Sequence, residues 1–522
     1  MSFDDKIDRL ILGKKFDEFV EEIPSDDSIE EEFMQSLLSK HPIRILGTSQ
    51  EGSVILTEED RESHIHILGS PGEGKSKYLE LLLRQDIDNG YGATLLDPSD
   101  NGETAYKVLK YAIKKGYEKV VLIEPHDIIE KDPESRTPCL NPINYKAPAP
   151  AVVGKIMDSI RVLFNTKDFS ETPRIQKYLP AVLNALYAAK FTLAESRYFM
   201  ENYIYKVRRD KILESLDPFD LNRAHLEAAF RNVPTFEQFQ STVNRLNPFL
   251  DPTMELIIGS QNGMNFQKLI SEKYLILVNL DPDGVWQEEQ RKLLGTLIMS
   301  EIQAAISRLR INGWKGRHYL YVDEAGLFGT RKLANFLYHK RKSGLIITFA
   351  HQSYDQFEDK YFLGAVRNTT KIKGLFFTTN EEDARMMMKD LGFGGELQDR
   401  QVLYALRQTP ARNCYITINK KSPVKTRLAD IPDIKIDPKV FKDFKNKIYS
   451  QDFYKGVKEV REEINSRFSN VGHQYAQGSD SKRSTAGKKD DGGTVSEALP
   501  SGKAGTRIKT AFTEAKRPSK DR

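Results

Sequence analysis

The chain has 522 residues, 39% hydrophobic and 29% charged, which suits two to four structural units with a sizeable core and excludes a small stapled scaffold. With 78 Lys/Arg against 74 Asp/Glu the net charge is only +4, so no overall positive field marks nucleic acid as a partner, and any basic surface must be local or lie in the tail, where Ser466–Arg522 holds 12 Lys/Arg against six Asp/Glu. Two distant cysteines, Cys139 and Cys414, and nine histidines without zinc spacing exclude a disulfide or zinc framework and fit a reducing cytoplasm.

Met1-Ser2-Phe3-Asp4-Asp5 has neither the positive end nor the apolar core of a signal peptide, and no run of 18 apolar residues occurs, so no membrane segment of its own is expected. Residues 1–40 read as an acidic helical arm broken by Pro24-Ser25-Asp26-Asp27, either packed on the core or docking a protein. Ile43–Leu46 and Ser53–Leu56, separated by Gly52, predict a hairpin feeding the first core strand of a nucleotide domain whose first part spans 41–146.

The apolar run Ile65-His66-Ile67-Leu68 leads into Gly69-Ser70-Pro71-Gly72-Glu73-Gly74-Lys75-Ser76, a complete G-x-x-x-x-G-K-[ST] phosphate loop, and a helix beginning at Lys77 follows. Glycines let backbone N–H groups turn inward around phosphates, Lys75 reaches the outer phosphate oxygens, and the Ser76 hydroxyl suits Mg²⁺. The helix N-terminus adds its own attraction for the anion. Gly69 to Lys77 are therefore the expected nucleotide-binding residues.

Strands follow at Ala93–Asp97 and Lys119–Ile123 with a helix between them, the alternation of a parallel sheet covered on both faces. From 147 to 252 only helical patterns appear, at 153–164, 178–191, 197–213, 221–230 and 236–246, predicting an all-helical insertion opened by Lys146-Ala147-Pro148-Ala149-Pro150. The nucleotide domain resumes over 253–440, with strands at 274–280, 318–322, 345–350 and 373–378 and a long amphipathic helix from 288 to 308. A C-terminal helix is expected over 441–470 and a disordered basic tail over 471–522.

Tyr319-Leu320-Tyr321-Val322-Asp323-Glu324 supplies an apolar strand ending in acid: Asp323 suits the Mg²⁺ shell through water, and Glu324 suits orienting and polarising the attacking water. The next strand ends in His351-Gln352-Ser353, where Gln352 either senses the outer phosphate or is a plain loop amide. Arg341, Arg367 and Arg385 are candidates for a charge donated across a subunit boundary. Tyr205–Lys211 and Arg308–Lys315 are local basic segments, read either as DNA contacts or as solvated helix faces.

In order, Gly69–Ser76, Leu95-Leu96-Asp97-Pro98, Leu140-Asn141-Pro142, the helical insertion, Asp323-Glu324, Arg341-Lys342-Ser343-Gly344, Gln352 and Asn368–Ile372 resemble the HerA/FtsK class of DNA-pumping P-loop ATPases. The interrupted sheet is most similar to the TraG-like coupling proteins of conjugative type IV secretion, over roughly residues 43–395. The resemblance implies a RecA-like α/β fold, ATP and Mg²⁺ as cofactors, a homo-hexameric ring around sequence-tolerant DNA, and a membrane channel or relaxase as partner. It implies Lys75, Glu324, Gln352 and Arg341 in catalysis and Ser76 and Asp323 at the metal. Coupling proteins usually carry N-terminal membrane helices, which this sequence lacks, so the expected location is the cytoplasm with recruitment to the membrane's inner face. A HerA-like repair or packaging translocase and a nucleotide-dependent assembly switch that moves no DNA remain alternative readings.

Overall fold

Among the described residues thirteen short strands are found: β1 (Arg44–Ser49), β2 (Gly52–Leu56), β3 (Ile65–Leu68), β4 (Gly92–Asp97), β5 (Val120–Ile123), β6 (Arg136–Pro138), β7 (Leu275–Asn279), β8 (His318–Val322), β9 (Leu345–His351), β10 (Ile372–Phe376), β11 (Asn413–Ile418), β12 (Val424–Leu428) and β13 (Tyr454–Gly456). The structure, a computed structural model, describes residues 43–467 except 51, 100–101, 129–131, 133, 144–145, 165–171, 202–203, 232–235, 281–285, 340–342, 394–395, 409 and 420. The expected N-terminal arm, the basic tail and Arg341 lie outside the described residues.

Eleven strands form one sheet in the order β2-β1-β12-β11-β10-β3-β9-β8-β4-β7-β5. From β10 to β5 all neighbours are parallel, and each of these seven strands is buried along its whole length. That burial is why their sequences read as continuous apolar runs: crossover helices cover both faces, so no alternate position is left for water. The expected α/β fold is therefore present. The predicted hairpin also forms, as β1 with β2, and leads along the chain into β3, while in the sheet it lies at the far edge. It is joined to the parallel part through β12 and β11, an antiparallel extension that the sequence reading did not contain.

Between β6 and β7 the described residues hold helices and no strand, as expected, but the helices continue past 252 through Pro252–Ile258 and Phe266–Ser271. The single helix expected over 197–213 is two elements. A 3₁₀ turn at Leu193–Phe199 opens with Thr192 and Glu195 in a reciprocal capping box, and an α-helix resumes at Lys206–Leu213. The Arg209 guanidinium donates to the Glu201 carbonyl (2.9 Å), taking an acceptor that a continuous helix would use itself. The helix Glu288–Ile311 is not amphipathic as expected: from Leu293 to Met299 every residue is buried. It is packed on several sides, and Glu301 on it forms a buried pair with Lys155 of the helix Ala149–Leu163.

The C-terminal helix is likewise interrupted. Pro438–Tyr449 ends before β13, and residues 457–467 form a second helix. The break lets this segment cover the sheet's edge: the Tyr454 hydroxyl accepts from Leu122 N (2.9 Å) and donates to Leu122 O (2.7 Å), while Gln451 Nε2 donates to Val120 O (2.9 Å). Edge strand β5 is thereby closed to further pairing. The second helix then ties down the helical region through Arg467 to Glu195 (2.6 Å) and Arg461 to Glu255 (2.7 Å).

Candidate functional site

The sheet order places β9 between β3 and β8, so the C-terminal ends of three strands carrying the phosphate loop, Gln352 and Asp323-Glu324 stand side by side. Ligands of open parallel sheets bind at this carboxyl edge. Helix α1 (Lys75–Asp88) starts directly from the loop, so its N-terminus points into the same space.

The loop is held from three directions. Gly69 N donates to His351 O (3.3 Å), Ser70 N to Phe377 O (2.8 Å), and Arg412 N to Glu73 O (2.8 Å). Thr379 N in turn donates to the Ser70 hydroxyl (3.1 Å). Gly72 and Gly74 take φ of 79° and 115°, a conformation that a side chain would strain. A Cβ on Gly74 would also lie 3.1 Å from the Cα of Arg412. Pro71 and Gly72 form the exposed crest.

Lys75 is buried, and its ammonium donates to the Ser70 carbonyl (3.0 Å) across the loop. Burial lowers its pKa, against the pull of Asp323, Glu324 and Glu73. Ser76 Oγ donates to Asp323 Oδ2 (3.1 Å), and Glu324 N donates to Asp323 Oδ1 (3.1 Å). Gln352 donates its side-chain amide to Glu324 Oε1, and Gln352 and Gln356 both oppose the rise that burial imposes on the Glu324 pKa. Glu324 sits in the left-handed region at φ 51°, a strained backbone for a non-glycine residue at the end of a strand. Lys77, by contrast, turns its side chain back along the helix to Glu80 (2.9 Å), leaving its backbone N–H as the group available to an anion.

Two carboxylates thus share one lysine. Burial raises the pKa of both Asp323 and Glu324, and Asp323 raises Glu324 further; Lys75 opposes the shift at each. Asp97, at the end of β4 next to β8, is pushed up to about 6 by burial, despite donors from Ser99 and Ala105 N (2.8 Å). The pocket is therefore short of positive charge, and a divalent cation would offset that deficit. Among the described residues no three His, Cys, Asp or Glu side chains cluster as metal ligands. Ser76 and Asp323, joined at 3.1 Å, are the side chains that would hold such a cation beside a phosphate chain.

Of the arginines singled out in the sequence, Arg367 is committed to Asp390 through two bonds of 2.7 Å, and Arg385 lies 3.7 Å from Glu381 on the surface. The basic segments are partly consumed as structure. Arg209 is buried with its guanidinium 3.8 Å from the centre of the Phe230 ring, and Arg310 donates to the carbonyls of Ser343, Trp314 (2.7 Å) and Gly316 (3.0 Å). Reading the sequence missed Arg412, Phe377, Thr379 and Gln356, which act mostly through backbone atoms or through the turn after β9, where Gln356 Oε1 accepts from Gln352 N (3.0 Å). Backbone donation leaves no residue-type signal.

No family model and no curated protein sequence matches the chain. Solved structures do. VirB4 of Thermoanaerobacter pseudethanolicus aligns at 14% identity and a TM-score of 0.50, over 74% of this chain and 96% of that one. The plasmid coupling protein TrwB aligns in complex with the non-hydrolysable GTP analogue GDPNP at 16% identity and TM-score 0.51, over 76% and 91%. TrwB in complex with ADP and Mg²⁺ gives 16% and 0.50, over 75% and 91%. At these identities the likeness is one of fold: the chain has the RecA-like phosphate-loop architecture of VirB4 and of a bacterial conjugative coupling protein. No helix among its described residues is long and apolar enough to cross a membrane.

Proposed function

We propose that this chain hydrolyses ATP with Mg²⁺ at the carboxyl edge of the sheet and uses the energy to move DNA, as a motor akin to conjugative coupling proteins. The observation that carries the reading is the convergence of Lys75, Ser76, Asp323, Glu324 and Gln352 from three adjacent strand ends. Lys75 and the N–H groups of residues 72–77 bind the phosphates, and Ser76 and Asp323 hold the metal. The metal, when bound, neutralises charge on the phosphate oxygens. Glu324 orients water and takes its proton; its raised pKa and strained backbone keep it poised beside the Gln352 amide. Gln352 leaves Glu324 for the outer phosphate and so reports whether that phosphate is present.

Lys75 is the cation that acts on Asp323 and Glu324 among the described residues. A further positive charge in the transition state is therefore expected from a neighbouring copy, with Arg341 as the candidate, in a homo-hexameric ring. The ring would surround DNA held by its backbone, hence with little sequence preference and strong salt dependence. Recruitment to a membrane channel or relaxase at the inner face of the membrane completes the reading.

The test is ATP hydrolysis by the purified protein with and without single- and double-stranded DNA, with Glu324→Gln as the control. DNA stimulation that disappears in the variant supports the motor; turnover indifferent to DNA sinks it and favours an assembly switch. Co-purification with a nuclease in place of a channel would move the motor to repair or packaging.

A further inference from the structure

Directly beneath the phosphate loop, two buried histidines meet. His66 on β3 and His351 on β9 lie on the same face of adjacent parallel strands, with their Nε2 atoms 2.6 Å apart. The rings are nearly parallel at 17° with centroids 4.9 Å apart, the separation of two imidazoles joined nitrogen to nitrogen in a common plane. Both side chains are fully buried, and Tyr354 and Phe357 wall them in.

Hydrogen bonding and burial together assign the protons. His351 Nδ1 faces the Ser353 carbonyl (3.1 Å), which can only accept, so Nδ1 carries the hydrogen. Burial pulls the His351 pKa down to about 3 and His66 well below its usual value, so both rings are neutral. His351 Nε2 is then a bare acceptor, and His66 must donate from its own Nε2. The chain of donation runs from His66 through His351 to Ser353 O, and the residues bracketed by its last link are 351 and 353. Gln352 lies between them.

We propose that His66 and His351 are positioning residues that set Gln352 for its work on Glu324 and the outer phosphate. The inference rests on the hydrolytic reading above. The loop strand and the Gln352 strand are thereby registered by a side-chain bond in addition to the sheet ladder. Gly69 N to His351 O is the backbone counterpart of the same link. A movement of the phosphate loop is carried to Gln352 through a rigid, single-tautomer pair.

The experiment measures steady-state ATP turnover and mant-ADP·Mg²⁺ affinity for full-length His66→Phe, His66→Gln, Gln352→Ala and the double variant His66→Phe/Gln352→Ala. His66→Phe should lower kcat about tenfold with mant-ADP affinity within about twofold, because misplacement of a positioning group affects the transition state first. His66→Gln, which keeps a donor, should recover to within about threefold, and His66→Phe should cost less than about twofold when Gln352 is already Ala, the non-additivity of residues acting through one another. If His66→Phe does not fold, His66→Leu carries the same comparison. Effects that multiply in the double variant, or affinity and melting temperature that fall together with kcat, overturn the positioning role. Gln352→Ala turning over at the wild-type rate overturns both this role and the sensing role of Gln352, whereas loss of turnover in Gln352→Ala with multiplying effects overturns the histidines' role alone.

Discussion

Helix α1 touches strand β8 at both of its ends, and the two contacts are built on opposite electrostatic terms. At the C-terminal end of the helix, Asp86 is fully buried between Arg44 (2.7 Å) and Arg61 (3.2 Å), and the Tyr321 hydroxyl donates to it as well. Arg61 also lies 4.1 Å from the centre of the Tyr319 ring. At the N-terminal end, Ser76 meets Asp323, and two buried carboxylates share Lys75. At the first end Glu58 also pairs with Arg44 (2.6 Å), so two carboxylates match two guanidinium groups; the other end is left short of positive charge. A buried carboxylate matched by cations is structural, whereas buried carboxylates with too few mark a place suited to a cation and an anionic ligand.

The sharpest way to break this contrast is to remove the carboxylate at the structural end. Asp86→Ala leaves buried Arg61 without its carboxylate and Arg44 with Glu58 alone, so unfolding in denaturant should show a loss of about 3–5 kcal/mol. ATP turnover per folded molecule should barely change. At the other end, Glu324→Gln removes one of two repelling carboxylates at constant shape. Turnover should fall about 10²- to 10³-fold, as for loss of a positioned base, while the melting temperature holds or rises. A fall in melting temperature would show that Glu324 serves the fold.

A pH series sharpens the same point more gently. Asp97 has a folded-state pKa of about 6, above its unfolded value, so protonation favours the folded state. Its stabilising contribution is fully present below the unfolded pKa near 4 and is lost as pH rises through about 6. Between pH 7 and pH 5, therefore, the nucleotide-free protein should gain about 1 kcal/mol of stability relative to Asp97→Asn. A difference that stays flat over that range would remove Asp97 from the charge-deficient end.

The same contrast explains what the sequence reveals. All seven parallel strands are legible because burial on both faces demands apolar runs, and the phosphate loop and Asp323-Glu324 are legible because their chemistry restricts residue type. β11 and β12 are not, since one half-exposed face admits Tyr415, Lys425 and Arg427 into strands that then resemble loops. The helix Glu288–Ile311 misleads because its polar residues, such as Glu301, find partners inside. His66 is hidden in plain view: a polar residue in a buried apolar strand signals a partner, but only the register of β3 with β9 says which. The link from Arg44 to Asp86 spans elements far apart in sequence and has no local pattern at all.

The smallest effect concerns Arg412, whose position is set by its backbone. It takes φ 73°, donates its N–H to Glu73 O (2.8 Å), and pairs its side chain with the exposed Asp430 (2.9 Å). An exposed pair contributes little, about 0–1 kcal/mol, whereas a left-handed arginine is strained by an amount of similar size that glycine relieves. Arg412→Gly should therefore leave stability within about 1 kcal/mol of the parent and nucleotide affinity unchanged. Arg412→Ala keeps the strain and loses the pair, so it should be the less stable of the two variants in denaturant. If Arg412→Gly instead weakens mant-ADP binding while folding normally, the guanidinium itself reaches the nucleotide, and the loop's outer wall belongs to the charge-deficient end after all.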